Sequence, residues 1–296
     1  MPTTRPGPTL AESRGRGVAR GRAPVRRRRR WVTLLVVVAL VAGAGWFGAR
    51  FLISSVVNPQ CTIKASGITE TFDPDQTANA ALISALSVKR EMPPRAATIA
   101  LTTAFQESKI RNLRYGDRDS VGLFQQRPSQ GWGTEKQILD PVYATNRFYD
   151  ALEKFKGYET ADITKIAQRV QKSGFPEAYR DHEGQGRVLA STLTGHSPAG
   201  LTCRLDAVKQ SVPPSRVVGD VSQQMGVTSA KAGDGTVTVS AGDATIAWAV
   251  AHWSVARAEM YGVTSVSVGE RTWDRGHGDE GWSQGTAGTT VTVKLG

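Results

Sequence analysis

An apolar segment directly after a run of arginines constrains this chain more than any other feature. The segment covers residues 31–53 and follows Arg26–Arg30. A helix of this length rises far enough to cross about 30 Å of hydrocarbon, and Arg50 lies close enough to the end to reach the interface. The sequence therefore predicts one transmembrane helix.

Positive charge is concentrated before this segment. Residues 1–30 contain ten Arg and one acid, Glu12, so they hold nine of the eleven net positive charges. Under the positive-inside rule such a flank stays in the cytoplasm, and its Pro, Gly and Arg content predicts disorder. Nucleic-acid binding is the alternative reading of the clustered Arg. For the folded domains we expect no nucleic-acid partner.

The apolar segment is either retained as a membrane anchor or cleaved off as a signal peptide. Small residues at 42–44 and 48–49 resemble a peptidase site, but the apolar run exceeds the ~7–15 residues of a usual signal core, which favours an uncleaved, single-pass anchor. In both cases the later residues lie outside the cytoplasm. Cys61 and Cys203 are then expected to form a disulfide, with two unpaired thiols as the alternative.

Composition divides the rest of the chain into two domains. Helical periodicity predicts a mainly α domain over 54–204, and a short hairpin is predicted near its start, at 61–72. Residues 205–235 are rich in Pro, Gly, Ser and Ala and predict a linker. Alternating strands around a helix predict a small α+β domain at 236–296.

The helical domain has a predicted set of four helices. Their expected positions are Thr77–Val88, Arg95 to about Lys109, 140–155, and Ala161 to about Ser173.

Glu107 borders the buried stripe of the second of these helices. It follows Thr103 by one turn and Ala100 by two. An acid beside apolar surface loses hydration, so its pKa rises. A Glu that stays protonated near neutral pH can donate a proton to a glycosidic oxygen. The position predicts a sugar-cleaving acid, with a solvated Glu at a helix end as the alternative.

A Gly- and Gln-rich segment follows Glu107. Residues 120–126 are predicted as a short strand, in which Gly122 lets backbone approach a ligand closely. Gln125 and Gln126 offer amide groups to sugar hydroxyls. Trp132 lies between two Gly and presents an aromatic face for a sugar ring, with a packed turn as the alternative.

These residues carry a resemblance to a known family. Glu107-Ser108, followed by Gly-Leu-Phe-Gln at 122–125, resembles the first two motifs of the lysozyme-like lytic transglycosylases, the group of soluble lytic transglycosylases and goose-type lysozymes. The resemblance covers roughly 77–205 and points to a membrane-anchored branch in actinobacterial envelopes. It implies a lysozyme-like fold, Glu107 as acid/base, residues 122–125 along a glycan groove, and peptidoglycan strands as the substrate.

The third family motif, Ala-Tyr-Asn-Ala-Gly, is met loosely at 170–174. Gln171 replaces its Tyr and Lys172 its Asn, and Tyr179 is the candidate for the missing aromatic hydroxyl. The residues for which glycan contact is expected are Ser108, Gly122, Leu123, Gln125, Gln126, Trp132, Gln171 and Tyr179.

The number of acids bears on the reaction. Hydrolysis needs a second carboxylate, and the candidates, Asp117 and Asp119, lie in a turn where Asp also bonds backbone. The lytic reaction, as the resemblance implies, needs one Glu, because the sugar's own 6-hydroxyl replaces water. One acid favours lytic cleavage of the β-1,4 bond between N-acetylmuramic acid and N-acetylglucosamine. A muramidase-type hydrolase and a non-catalytic peptidoglycan-binding or scaffold protein are the alternatives.

The C-terminal domain has an Ala-Trp helix, a Gly-Val strand, an Arg-x-Trp sequence and a terminal strand, in that order. This order resembles actinobacterial domains related to zinc carboxypeptidases of the cell wall. Their His-x-His pair corresponds to Thr290 and Thr292 here, and the isolated His252 and His277 make no ligand set. We therefore expect no metal and no cofactor, and a binding or spacing role for this domain.

Overall fold

The computed structural model describes residues 35–39, 41, 43, 45, 46, 58–171 and 176–296. Within it, no helix combines the length and the apolar character needed to cross a membrane. The predicted basic tail, 1–30, lies outside the described residues. Of the predicted transmembrane segment, 31–53, only the positions between 35 and 46 named above are described, and they are helical and exposed.

A three-stranded antiparallel sheet joins the two ends of the helical part. Strands β1 (Gln60–Ala65) and β2 (Ile68–Phe72) form the predicted hairpin, and β3 (Leu201–Arg204) pairs with the other edge of β1. Cys61 lies opposite Cys203 in this register, and the two form a disulfide. The predicted disulfide is therefore confirmed.

Helices fill the chain between β2 and β3. They are α1 (Pro74–Lys89), α2 (Pro94–Ser108), α3 (Glu135–Ile138), α4 (Pro141–Leu152), α5 (Ile163–Gln171) and α6 (Glu183–Leu193). Short 3-10 turns cover Pro128–Gln130 and Pro176–His182. The four helices predicted from periodicity correspond to α1, α2, α4 and α5, with boundaries that differ by a few residues.

Helices α2 and α6 cross closely at Gly186. A Cβ atom there would lie 2.2 Å from Thr102 Oγ1 and 3.0 Å from the Thr98 carbonyl oxygen. Helix α2 carries Glu107, and α6 directly follows the 3-10 turn that carries Tyr179, so the crossing joins the two parts of the chain that supply these residues.

A helix occupies the predicted linker at 205–235. Helix α7 spans Pro214–Met225, and its buried stripe is Val217, Val221 and Met225 at spacings of four. Pro is tolerated in the first helical turn, where its missing N–H costs nothing. The Pro-Pro pair thus marks the start of a helix rather than an extended linker, which corrects the prediction.

The C-terminal strands form a five-stranded antiparallel sheet in the order β4-β5-β8-β6-β7. They are β4 (Ala230–Ala232), β5 (Thr236–Ser240), β6 (Val263–Val268), β7 (Arg271–Asp274) and β8 (Thr290–Leu295). Helices α8 (Ala244–Ala256) and α9 (Ala258–Tyr261) connect β5 to β6. This mixed helix and sheet arrangement agrees with the predicted α+β layer.

Helix α8 ties this sheet to the helical part. It is buried from residue 247 to 256 and packs against α1, α6 and β3 as well as its own sheet. His252 Nδ1 donates to the Thr192 carbonyl at 2.7 Å, and Trp282 Nε1 donates to the Leu201 carbonyl at 2.7 Å. Residues 58–296 therefore form one compact unit with a shared core, where the sequence predicted two domains.

Candidate active site

Glu107 lies half-buried in the last turn of α2. The hydroxyl of Tyr179, which is only 1% exposed, donates to Glu107 Oε1 at 2.6 Å. The side-chain amide of Gln171 also acts on this carboxyl and lowers its pKa. Burial raises the pKa of the Glu107 carboxyl, and the Tyr179 hydroxyl and the Gln171 amide, which stabilise its ionised form, offset this only in part. The net effect is an acid that holds its proton more tightly than an exposed Glu.

Three separate elements meet at this carboxyl. Glu107 comes from α2, Gln171 from the end of α5, and Tyr179 from the 3-10 turn before α6. Gln171 Nε2 also donates to the Phe124 carbonyl at 2.6 Å. The structure thus brings together residues from all three regions in which the sequence motifs were found.

The backbone directly after Glu107 is strained. Lys109 and Ile110 both adopt left-handed conformations, with φ of 54° and 57°, which are unfavourable for residues with a Cβ. Side-chain amides of α1 hold this turn, since Gln76 donates to the Lys109 carbonyl and Asn79 to the Ile110 carbonyl, each at 2.9 Å. Helix α1 therefore fixes where α2 ends and where Glu107 lies.

Ser108, Leu123 and Gln126 are among the residues with predicted glycan contact that the structure buries. Ser108 Oγ donates to the Leu123 carbonyl at 2.7 Å, and the Leu123 side chain is 0% exposed. Gln126 is 1% exposed and donates to the Ala144 carbonyl at 3.1 Å. These side chains have no surface to offer a sugar, so their role is corrected from binding to support of the site.

The predicted strand at 120–126 is a tight turn. Gly122 and Gln125 have left-handed φ of 83° and 47°, which breaks an extended run. A Cβ on Gly122 would lie 2.8 Å from the Ile138 carbonyl oxygen, so its close approach is to the chain itself. The Gln125 amide donates to the carbonyls of Tyr115 and Gly122, both at 3.3 Å, and holds the loop rather than standing free for a ligand.

Tyr115 is an aromatic residue that sequence reasoning missed. Its side chain is 73% exposed, and its backbone is held by Gln125. A Cβ on the next residue, Gly116, would lie 1.7 Å from Gln125 Oε1, so a larger residue there would displace the Gln125 side chain. An aromatic residue within a polar turn was the available signal, and it offers an open ring face close to the Gly-Leu-Phe-Gln turn.

Trp132 is half-buried, and its carbonyl accepts a hydrogen bond from the Tyr143 hydroxyl at 3.1 Å. Its side chain packs against the core and also lines a cavity of about 330 Å³ together with residues of α4 and α5. A packed turn and an accessible aromatic surface, predicted as alternatives, therefore coexist at this residue.

The two candidate second acids differ from Glu107. Asp119 accepts from Arg127 Nε at 2.8 Å and from the backbone and hydroxyl of Ser129 at 2.8 and 3.0 Å. The Arg127 hydrogen bond, followed by those of Ser129, holds the pKa of the Asp119 carboxyl well below its usual range. Asp117 is 90% exposed. Asp119 therefore ties the loop together.

In the part of the chain that the structure describes, no group of three or more His, Cys, Asp or Glu is arranged to hold a metal ion. His252 is 0% exposed, and burial lowers its pKa to about 4, so it is neutral. His277 lies 3.7 Å from Asp274 at the surface. These two histidines therefore have separate structural surroundings.

Similarity to known proteins does not assign the site. The chain matches no protein-family model, and no curated protein is significantly similar to it. The residues around Glu107 are therefore the basis for a functional conclusion.

Proposed function

We propose that this chain is a membrane-anchored peptidoglycan lytic transglycosylase in which Glu107 is the one acid/base. The observation that carries the proposal is a half-buried carboxyl with a raised pKa that accepts a hydrogen bond from Tyr179, while the Gln171 amide also lowers its pKa. A protonated carboxyl of this kind can act as a general acid and donate its proton to a glycosidic oxygen. Asp119, engaged by Arg127 and Ser129, is a poor candidate for a second catalytic carboxylate.

The reaction has two proton transfers. Glu107 first donates its proton to the oxygen of the β-1,4 bond, and the bond from that oxygen to C1 of N-acetylmuramic acid breaks. The Glu107 carboxylate then removes the proton of the 6-hydroxyl of the same sugar, whose oxygen bonds C1 and closes a 1,6-anhydro ring. No water is consumed. The Tyr179 hydroxyl, through its hydrogen bond, and the Gln171 amide stabilise the carboxylate that exists between the two steps.

The proposed location is the outer face of the cell membrane. Residues 31–53 form the anchor, with the basic tail in the cytoplasm. The Cys61–Cys203 disulfide supports this placement, because disulfides persist in oxidising compartments outside the cytoplasm.

Product analysis tests the proposal against its alternatives. The fragment 58–296, which forms one compact unit around its own core, is incubated with purified sacculi, and soluble and pelleted material is analysed. New 1,6-anhydro ends support a lytic transglycosylase. New reducing ends would indicate a muramidase-type hydrolase, and pelleting of the protein without cleavage would indicate a binding protein.

A further inference from the structure

A cavity beside the candidate active site combines aromatic and cationic side chains. Its volume is about 330 Å³, and it opens between the Pro128–Gln130 turn, α4 and α5. Trp132 and Phe155 supply apolar surface, and Arg147, Lys154 and Arg169 supply positive charge. Such a lining suits a ligand with a small apolar part and an anionic group.

The positive charge of this cavity is only partly neutralised. Asp150 is the acid among the lining residues. Its Oδ1 atom already accepts a hydrogen bond from Arg90 at 2.9 Å, and its Oδ2 atom lies 3.6 Å from Arg147 Nη1. Arg169 lies over the Phe155 ring, 4.6 Å from its centroid, rather than against an acid. The cavity therefore retains cationic donors for a ligand.

The cavity and the surroundings of Glu107 share helix α5. Val170 lines the cavity, and the next residue, Gln171, lowers the pKa of the Glu107 carboxyl.

We propose that this cavity binds a carboxylate of the peptide that peptidoglycan carries on its sugars, an inference that rests on the proposed function and deepens it. The cations pair with the carboxylate, and the rings of Trp132 and Phe155 pack against the small apolar side chains of such a peptide. A phosphate dianion suits the cavity less, because Asp150 would repel its second charge.

The test is a binding measurement on fragment 58–296 by calorimetry. One probe is a peptidoglycan disaccharide bearing its peptide, and the other is the same compound with the peptide carboxylates converted to amides. Wild type is expected to bind the first about tenfold more tightly than the second, since a charge-assisted hydrogen bond is worth roughly this factor. Inorganic phosphate serves as a competitor.

The matched variants remove equal charge at different places. Lys154→Gln with Arg169→Gln is expected to weaken binding of the carboxylate probe about tenfold and to leave the amide probe unaffected. Lys156→Gln with Lys165→Gln removes two exposed charges that do not line the cavity and is expected to bind like wild type. Thermal unfolding of each variant verifies that it is folded.

Three results would overturn the inference. In the first, wild type binds both probes equally or binds neither. In the second, the two double variants lose the same affinity for the carboxylate probe. In the third, inorganic phosphate displaces the carboxylate probe and binds with the same affinity. Cleavage of sacculi separates this inference from the proposed function. Anhydro products with no discrimination between the probes would overturn only the cavity assignment, whereas carboxylate-dependent binding without cleavage would overturn only the enzymatic proposal.

Discussion

Glu107 differs from the other acids near it in how it is held. Burial raises its pKa, whereas Asp119 keeps a low pKa through Arg127 and Ser129. Tyr179 and Gln171 counteract the burial effect, so each of them tunes the pH range over which Glu107 is protonated.

Replacing Tyr179 by Phe is expected to move the alkaline limb of the pH–rate profile to higher pH. The hydroxyl stabilises the carboxylate and lowers the pKa of Glu107, so its removal raises that pKa, and a general acid acts only while protonated. We also expect kcat to fall about tenfold, because the carboxylate formed between the two steps loses a charge-assisted hydrogen bond. Cleavage rates measured across pH provide the check.

Tyr143→Phe is the matched control for this change. Its hydroxyl donates to the Trp132 carbonyl rather than to Glu107. An identical shift in both variants, or an unshifted limb in Tyr179→Phe, would contradict the role given to Tyr179.

Glu107→Gln is expected to gain stability relative to wild type as pH rises. The pKa of Glu107 is higher in the folded chain than in the unfolded chain, so between these two values the folded state binds more protons and wild-type stability falls with increasing pH. Gln has no such titration. Urea unfolding from acidic to neutral pH checks this, and parallel stability curves for the two proteins would refute it.

Sequence reasoning located Glu107 because its position beside a buried stripe follows from helical spacing alone. It also proposed Tyr179 as a source of an aromatic hydroxyl. It did not predict the burial of Ser108, Leu123 and Gln126, because whether a polar residue near a site faces solvent depends on elements far away in sequence.

At the scale of elements, the close crossing of α2 and α6 connects the helix that carries Glu107 with the helix that follows Tyr179. Gly186 lets the two helices approach at Thr98 and Thr102. The helix periodicity predicted α2, but no local pattern indicates that a Gly in α6 touches it.

Gly186→Ala is expected to lower the free energy of unfolding by about 1–3 kcal/mol, because its Cβ would overlap Thr102 Oγ1 and crowd the Thr98 carbonyl. Gly184→Ala is the control on the same helix, where a Cβ meets nothing within 4 Å. There, better helix propensity is expected to stabilise the protein by up to about 1 kcal/mol. Equal effects of the two substitutions in urea unfolding would contradict the close crossing.

Local patterns predicted other elements unequally. Strands β5, β6 and β8 occur within 236–296, where alternation predicted strands, because period-two alternation reports a half-buried strand directly. Helix α7 was missed because Pro-Pro-Ser is compatible with both a linker and a helix start. The turn at 120–126 was missed because the left-handed conformation of Gln125 depends on its contacts with the 115–122 loop.

At the scale of the whole molecule, residues 58–296 form one unit in which a disulfide and a buried helix connect distant parts. Composition suggested a boundary at 205–235, but it carries no information on the long-range packing of α8 against α1 and α6. Domain division was therefore the part of the fold least accessible from sequence.

Replacing both Cys61 and Cys203 by Ser is expected to lower the free energy of unfolding by about 4–5 kcal/mol in the chain-entropy model, because the bond closes a loop with a sequence separation of 142. The control is Thr62→Ser with Thr202→Ser, the adjacent cross-strand pair, which carries no crosslink. The same urea midpoint for the Cys double variant and wild type would contradict this contribution.

The central claim is that one acid, Glu107, performs both proton transfers without water. Mass spectrometry of the material released from sacculi by fragment 58–296 and by its Glu107→Gln variant tests this most directly. Wild type is expected to release muropeptides with 1,6-anhydro ends, and the folded Gln variant is expected to release none. Undiminished anhydro release by the Gln variant would contradict the account.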